Sequence, residues 1–466
     1  MPAANDLAQR DIDSLIHPYT NLSAHKTQGP LVVKGGDGCF IVTEDGTRYL
    51  EAMAGLWSAS LGFSEKRLVE AAHRQMQQLP FYQIFGGRSN EPVIELADRL
   101  LKIVPKGLSK VLFANSGSEA NDQAAKLVWY YHNAIGKPRK KKIIARERAY
   151  HGVTAYAASM TAQPINHMDW DLPLGGVLRT DAPSHYIFGQ DGESEEAFVD
   201  RIVGNLERLI LREGPETIGA FIAEPVNGGG GVIVPPQGYF AKVQEVLRRY
   251  DILFIADEVI CGFGRTGKMF GCDTFGITPD IMTVAKALSA SYMPISATIV
   301  SEKIADAMEA QSRKLGNFGH GVTYAGHPVA AAVALETLKI YEERDLVGMV
   351  GKIAPYFQER LRRFTSHPIV GEARGVGLLG ALQLVKDKAR RTSFTAADGV
   401  GPVVQAAAQR HGVLLRASPE AVYFSPPLII QKDEVDTLFD ALAAALDEGL
   451  AHAEEKGLIG MKAAAE

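Results

Sequence analysis

Apolar runs recur through the middle of the chain with helix-period segments between them, and this alternation restricts the fold more than any other feature. The runs fall at residues 111–114, 142–145, 218–223, 252–256 and 295–300. Unbroken apolarity over so few residues marks strands buried on both faces, and strands spaced by helices join most readily as βα units in a largely parallel sheet. Helices are read at 68–79, 91–103, 118–131, 195–212 and 239–250, where apolar residues return at three- and four-residue steps. Linker lengths vary too much for a solenoid, and no internal repeat is present.

The two ends read differently. Residues 31–49 suggest a small antiparallel element whose turn is Asp45–Gly46. Beyond Pro328, long helical stretches surround GEARGVGLLGALQLV, GVLLRAS and AVYFSPPLII, the pattern of a smaller α+β lobe. A chain of 466 residues exceeds a usual single core. The expected division is 1–60 as part of a small domain, 61–328 as a large α/β domain, and 329–466 as the rest of the small domain. Ligands commonly sit in the cleft such an arrangement leaves.

Bulk properties exclude several partners. Net charge is −5 with both signs mixed along the chain, which offers little to nucleic acid or to an anionic membrane. The one basic cluster, 139–142, reads as a solvated loop. Cys39, Cys261 and Cys272 have neither zinc-ligand spacing nor a disulfide framework, so buried reduced thiols and no metal are expected. The first residues lack a secretory pattern and no window has the length of a membrane span. The expected location is cytoplasmic.

The chemistry concentrates in 253–286. LFIADEVICGFGRTG is an apolar run that ends in Asp257 and Glu258 and breaks into glycines, and TVAKALSA follows with a single lysine, Lys286. A carboxylate ending a buried strand and a lysine among apolar neighbours are costly as mere structure. Together they suit a cofactor with a ring nitrogen and an aldehyde, which is pyridoxal 5'-phosphate held as a lysine Schiff base. Glu258 should face away from Asp257, because neighbouring strand residues alternate.

FANSGSEANDQAAKL adds an anion cradle, with Ser116, Gly117 and Ser118 turning into a helix N-terminus. Neither a Walker sequence nor a dinucleotide fingerprint accompanies it. AYHG sets Tyr150 and His151 after another strand, where the tyrosine ring can stack on a planar group and the histidine packs or hydrogen-bonds beside it. Each motif alone has a plainer explanation: a capped helix for Ser116–Ser118, a turn for Asp257, a core ring for Tyr150, and a lysine reaching water for Lys286.

Taken in order, NSGSEAND, AYHG, AEPV, ADEVICGFGRTG, TVAKAL and TYAGHP make the chain resemble the class III, or omega, aminotransferases of the fold-type I pyridoxal-phosphate superfamily. The resemblance implies that Lys286 forms the imine with the cofactor, Asp257 pairs with its ring nitrogen, and Val259 packs on the ring face opposite Tyr150. It implies that Gly117 and Ser118 hold the phosphate and that Glu224 lies near the cofactor. Thr323 matches a position that reaches the phosphate of the neighbouring subunit, implying a homodimer. Trp57, Phe85 and Tyr19 match the aromatic walls of amine:pyruvate members, and Arg416 matches a mobile arginine that binds carboxylates. The implied activity is ping-pong transfer of an amino group from a primary amine or omega-amino acid to a keto acid, with pyruvate as acceptor. Decarboxylation of dialkylglycines, intramolecular amino transfer and a non-catalytic pyridoxal-phosphate-binding regulator remain the alternatives. One departure is Asn227 followed by Gly228 to Gly231, where relatives often carry an alanine within the glycines.

Overall fold

A seven-stranded sheet runs through the centre of the computed structural model, which describes residues 6–459. Its spatial order is Leu108–Ala114, Ser296–Ser301, Ile281–Val284, Leu253–Asp257, Ile218–Ala223, Lys142–Arg146 and Val177–Thr180. Ser296–Ser301 is antiparallel to both neighbours, and the other adjacent pairs are parallel.

Every residue of Ile218–Ala223 and Leu253–Asp257 is buried, because helices cover both faces. Alternation sends Ile222 and Ile255 to the face packed by Ala124, Leu127 and Val128 of helix Gly117–Ala134. Phe221 and Phe254 go to the other face, 5.5 Å apart, with Phe198 and Leu206 of Glu195–Glu213 and Val243 of Tyr239–Arg249. Each such side chain contributes roughly 1.5–3 kcal/mol by burial.

Two strands lie outside the five apolar runs. Ile281–Val284 is only four residues long, though fully buried. Val177–Thr180 is an edge strand, partly exposed, and it contains Arg179. That arginine donates to the carbonyls of Ser159, Met160 and Thr161, so its charge conceals a strand rather than marking a loop.

The 139–142 run is not a solvated loop. Lys140 is 5 % exposed, and its Nζ donates to the carbonyls of Ile218, Tyr250 and Asp251 at 3.2, 3.1 and 2.6 Å. Lys142 opens a strand and pairs with Glu213 at 2.9 Å. The acceptors come from residues distant in sequence, so the run itself carried no sign of them.

Smaller sheets flank the large one. Phe40–Thr43 and Arg48–Glu51 form a hairpin whose turn needs Gly46 at φ +86° and an Asp45 carboxylate accepting from the Thr47 amide at 3.0 Å. Val413–Leu414 joins it in parallel beside Arg48–Glu51, so the two ends of the chain share one sheet. Val370–Val376, Leu379–Asp387, Ala421–Phe424 and Arg416–Ser418 make an antiparallel sheet, and helix Lys432–Glu455 packs Phe439 against Phe357 and Phe424. All three cysteines are buried and free. No helix among the described residues is long and apolar enough to cross a membrane.

Candidate active site

Strand Leu253–Asp257 delivers two carboxylates to opposite sides of its carboxyl end. Glu258 turns away and accepts the amides of Gly271 and Cys272 at 2.9 and 2.6 Å, at the start of helix Gly271–Phe275. Burial pushes its pKa up to about 7. Asp257, 3 % exposed, faces a pocket lined by Gly117, Ser118, Asn121, Tyr150, His151, Gly152, Glu224, Val259, Ile260 and Lys286.

A ring of hydrogen bonds fixes that carboxylate. Asp257 Oδ2 accepts from Asn121 Nδ2 at 2.8 Å and lies 2.8 Å from His151 Nδ1, while Oδ1 accepts from the Val259 amide at 3.1 Å. Asn121 Nδ2 also donates to the His151 carbonyl at 2.7 Å, and Thr283 Oγ1 donates to Asn121 Oδ1 at 2.8 Å. The charge is therefore multiply satisfied in a place where an unpaired carboxylate would be prohibitive.

Lys286 follows the next strand of the sheet, Ile281–Val284, and its backbone is in the left-handed region at φ +45°. A lysine adopts that region only when its surroundings impose it. Burial lowers the Lys286 pKa, against the opposing pull of Asp257 and Glu224, so the amine is displaced toward its neutral, nucleophilic form.

The helix Gly117–Ala134 begins with a capping box. Ser116 Oγ accepts from the Glu119 amide at 3.2 Å, and Glu119 Oε2 accepts from the Asn115 and Ser116 amides at 2.8 and 3.1 Å. Ser116 is thus committed to the cap, and Gly117 and Ser118 line the pocket. Gly152, at φ +130°, comes so close that a Cβ there would lie 2.5 Å from Ser118 Oγ. Ser118 Oγ accepts from the Val153 amide at 3.1 Å, so the AYHG turn closes over the helix end.

Glu224, 3 % exposed, accepts from the amides of Tyr150 and Gly228 at 3.0 and 2.9 Å, joining AYHG to the four glycines. Burial raises its pKa. The Tyr150 hydroxyl is pushed up by burial and by its hydrogen bond to Tyr19, against the nearby charge of Arg416. Arg416 is exposed and sits across from Tyr423, whose ring is 6.4 Å from Trp57. Trp57 is 4 % exposed, has φ +64°, and packs in a cluster with Val226 and Ile260 of the pocket region.

Phe85 and Thr323 are not brought to this pocket within one chain. Both are exposed, and a Cβ on Gly321, two residues before Thr323, would meet Phe85 Cε1 at 2.8 Å. Phe81, Tyr82, Phe85 and Tyr324 are all substantially exposed there. Asn121, Gly152 and Thr283 sit inside NSGSEAND, AYHG and TVAKAL, whose spacing gives them no role of their own, and Thr161 lies outside every motif. Asn121 lies one turn after Gly117 on the same helix face, a signal available once that helix is placed. Thr161, which accepts the His151 amide at 2.8 Å, has none.

A family model described as Aminotransferase class-III matches residues 22–446. The chain belongs to the class-III aminotransferases. It is 49% identical over 458 residues to "Gamma aminobutyrate transaminase 3, chloroplastic" of Solanum lycopersicum, covering 97% of this chain and 88% of that one. A crystal structure of the omega transaminase from Pseudomonas jessenii in complex with PMP aligns with a TM-score of 0.95 at 50% identity, covering 97% and 100% of the two chains. A variant of that transaminase with a tryptophan, a phenylalanine and an arginine replaced, described as engineered for asymmetric synthesis of enantiopure bulky amines, aligns with a TM-score of 0.94 at 50% identity over 96% and 99%.

Class-III aminotransferases are pyridoxal-phosphate enzymes of fold type I, and the pocket of this one fits the cofactor. It supplies a buried amine and a buried carboxylate on adjacent strands, and a glycine-lined helix N-terminus that admits an anion. His151 Nε2 is buried with no partner among the described residues, as expected of a polar group awaiting a neighbour.

Proposed function

We propose that this class-III aminotransferase moves an amino group from a primary amine or omega-amino acid to a keto acid, with pyruvate as acceptor, and acts as a homodimer. Arg416 carries the acceptor side of the reading. Its guanidinium is close enough to Tyr150, which lines the pocket, for its charge to act there, and it presents a planar fork suited to a carboxylate. Being exposed on the short strand Arg416–Ser418, it is free to turn away when the substrate is an uncharged amine. Trp57, Phe85 and Arg416 repeat the tryptophan, phenylalanine and arginine exchanged in the engineered Pseudomonas variant, at the same intervals along the chain. The name of the tomato relative supports an omega-amino acid among the donors.

When bound, pyridoxal phosphate supplies the aldehyde that captures the amine and the ring that accepts electron density. The protein does the rest. Lys286 Nζ would hold the cofactor and, once displaced, take the proton from the amine-bearing carbon of the substrate, a role favoured by its lowered pKa. Asp257, held by Asn121 and His151, would keep the ring nitrogen protonated. Gly117 and Ser118 would anchor the phosphate, Val259 and Tyr150 would flank the ring, and Glu224 orients the Tyr150 segment. In the homodimer, the exposed Phe85 and Thr323 of each chain complete the partner's pocket. Their aromatic surroundings are the kind of surface that a stable interface covers.

Replacing Lys286 by alanine tests the assignment. Steady transamination of pyruvate with a panel of amines, γ-aminobutyrate, putrescine, β-alanine and benzylic amines included, should vanish, whereas full turnover in the variant would refute the role.

A further inference from the structure

The first described elements bury little apolar surface. In helix Leu22–Gln28 the one buried side chain is His25, and Leu7, Leu15, Ile16 and Leu22 are all exposed. Helices of nine and seven residues, Asp6–Ser14 and Leu22–Gln28, are too short to persist by propensity alone. A polar knot joins them. Asp11 Oδ1 lies 2.8 Å from His17 Nε2 and 3.0 Å from His25 Nε2, and Asp11 Oδ2 is 3.0 Å from His17 Nε2. The histidine rings are 4.3 Å apart, and the three donor atoms all lie within 4.8 Å of one another. The side chains of Asp11 and His25 are 16% and 10% exposed and that of His17 is 31% exposed, so the cluster is sheltered yet open to solvent on one side.

Two imidazole nitrogens and one carboxylate oxygen make a donor set for borderline transition-metal ions and a poor one for calcium or magnesium, which prefer oxygen alone. A tetrahedral ion with bonds of about 2.0–2.1 Å sets its ligand atoms roughly 3.3 Å apart. The two Asp11–histidine separations differ from that by a few tenths of an ångström, the contraction expected while protons bridge the same atoms, and the histidine donor atoms lie within 4.8 Å of each other. Metal would replace those protons and release them, leaving a fourth position for water.

We propose that Asp11, His17 and His25 bind one divalent transition-metal ion, with zinc the best match, and that the ion ties the two N-terminal helices together across the turn carrying Tyr19. None of the three ligands lines the Lys286 pocket, so the site is separate from the chemistry there and does not depend on the substrate reading. Its consequence is order: Tyr19, two residues beyond His17 and at φ +52°, donates or accepts at Tyr150 and receives a bond from Asn166. Fixing His17 and His25 fixes the strained turn between them.

The test uses full-length holoenzyme stripped with a chelator and titrated with Co²⁺, read by visible d–d absorption, then by displacement with Zn²⁺. Amide hydrogen exchange of residues 6–28 is followed with and without Zn²⁺. One Co²⁺ per chain is expected, displaced by one Zn²⁺. Affinity should fall by about tenfold or more in His17→Gln or Asp11→Asn, and Zn²⁺ should slow exchange in 6–28 of the native chain alone. Because His25 is buried, the more exposed His17→Gln is the deciding variant, with circular dichroism confirming its fold. Absence of Co²⁺ uptake, unchanged affinity in a folded His17→Gln, or binding that leaves exchange in 6–28 unaltered would each overturn the proposal.

Discussion

Asn121→Ala should disable this enzyme without touching any group assigned to the chemistry. The amide donates to Asp257 Oδ2 at 2.8 Å and to the His151 carbonyl at 2.7 Å, and accepts from Thr283 at 2.8 Å. Truncation removes one charge-assisted bond, worth about 1.5–3 kcal/mol, and two neutral ones at about 0.5–1.5 kcal/mol each. Water entering from the adjoining pocket recovers part of this, leaving a net loss of roughly 2–4 kcal/mol. Asp257 keeps only the Val259 amide and His151 Nδ1, and His151 loses its carbonyl anchor, so the carboxylate acquires freedom to shift. A displacement of about 1 Å costs on the order of a hundredfold in rate. Stopped-flow measurement of the amine half-reaction should therefore show kcat reduced about thirty- to three-hundredfold, with cofactor retained because the phosphate cradle is intact. Asn133→Ala, on the same helix but away from the pocket, serves as the control. A folded Asn121→Ala variant within threefold of the native rate, with an unchanged pH profile, would refute the claim that this network positions Asp257.

Arg416→Ala should raise KM for pyruvate by about tenfold or more, the loss of a charged hydrogen bond, while KM for an uncharged amine changes little; equal effects on both would remove Arg416 from carboxylate binding. Glu258 has a folded pKa near 7 against an unfolded value near 4.5, so the folded state holds more protons in that window and this residue's contribution to stability falls as pH rises through it. Denaturation midpoints of Glu258→Gln relative to native protein should accordingly shift in the variant's favour by about 2–3 kcal/mol between pH 5 and pH 8, and a pH-independent difference would contradict the assignment. Within the glycine run, a Cβ on Gly230 would lie 1.8 Å from the Arg148 carbonyl oxygen and one on Gly229 3.2 Å from Tyr150 Cβ. Gly230→Ala should destabilise strongly in thermal melts, and Gly229→Ala should fold and lose activity chiefly on bulky amines.

The large sheet and the two residues at its centre were legible in the sequence for a shared reason. Asp257 and Lys286 end or follow apolar strands, and polar groups in that setting stand out against their neighbours. Asn121, though inside NSGSEAND, had no role of its own to read, since an asparagine inside a polar helical stretch has no signature until the helix is placed over the strand ends. Lys140 misled because its three carbonyl partners come from elsewhere in the chain, and Val177–Thr180 hid because an edge strand tolerates Arg179. Phe85 and Thr323 were read from motif alone, and one chain leaves them on its surface.

Adding amine without any keto acid is the most direct measurement of the proposed reaction. Holoenzyme should then release one carbonyl product per active site, lose the absorbance of its bound cofactor and stop, and pyruvate should restore the spectrum while yielding alanine. Continued turnover on amine alone, or release of carbon dioxide in step with spectral change, would contradict transamination as the activity of this site.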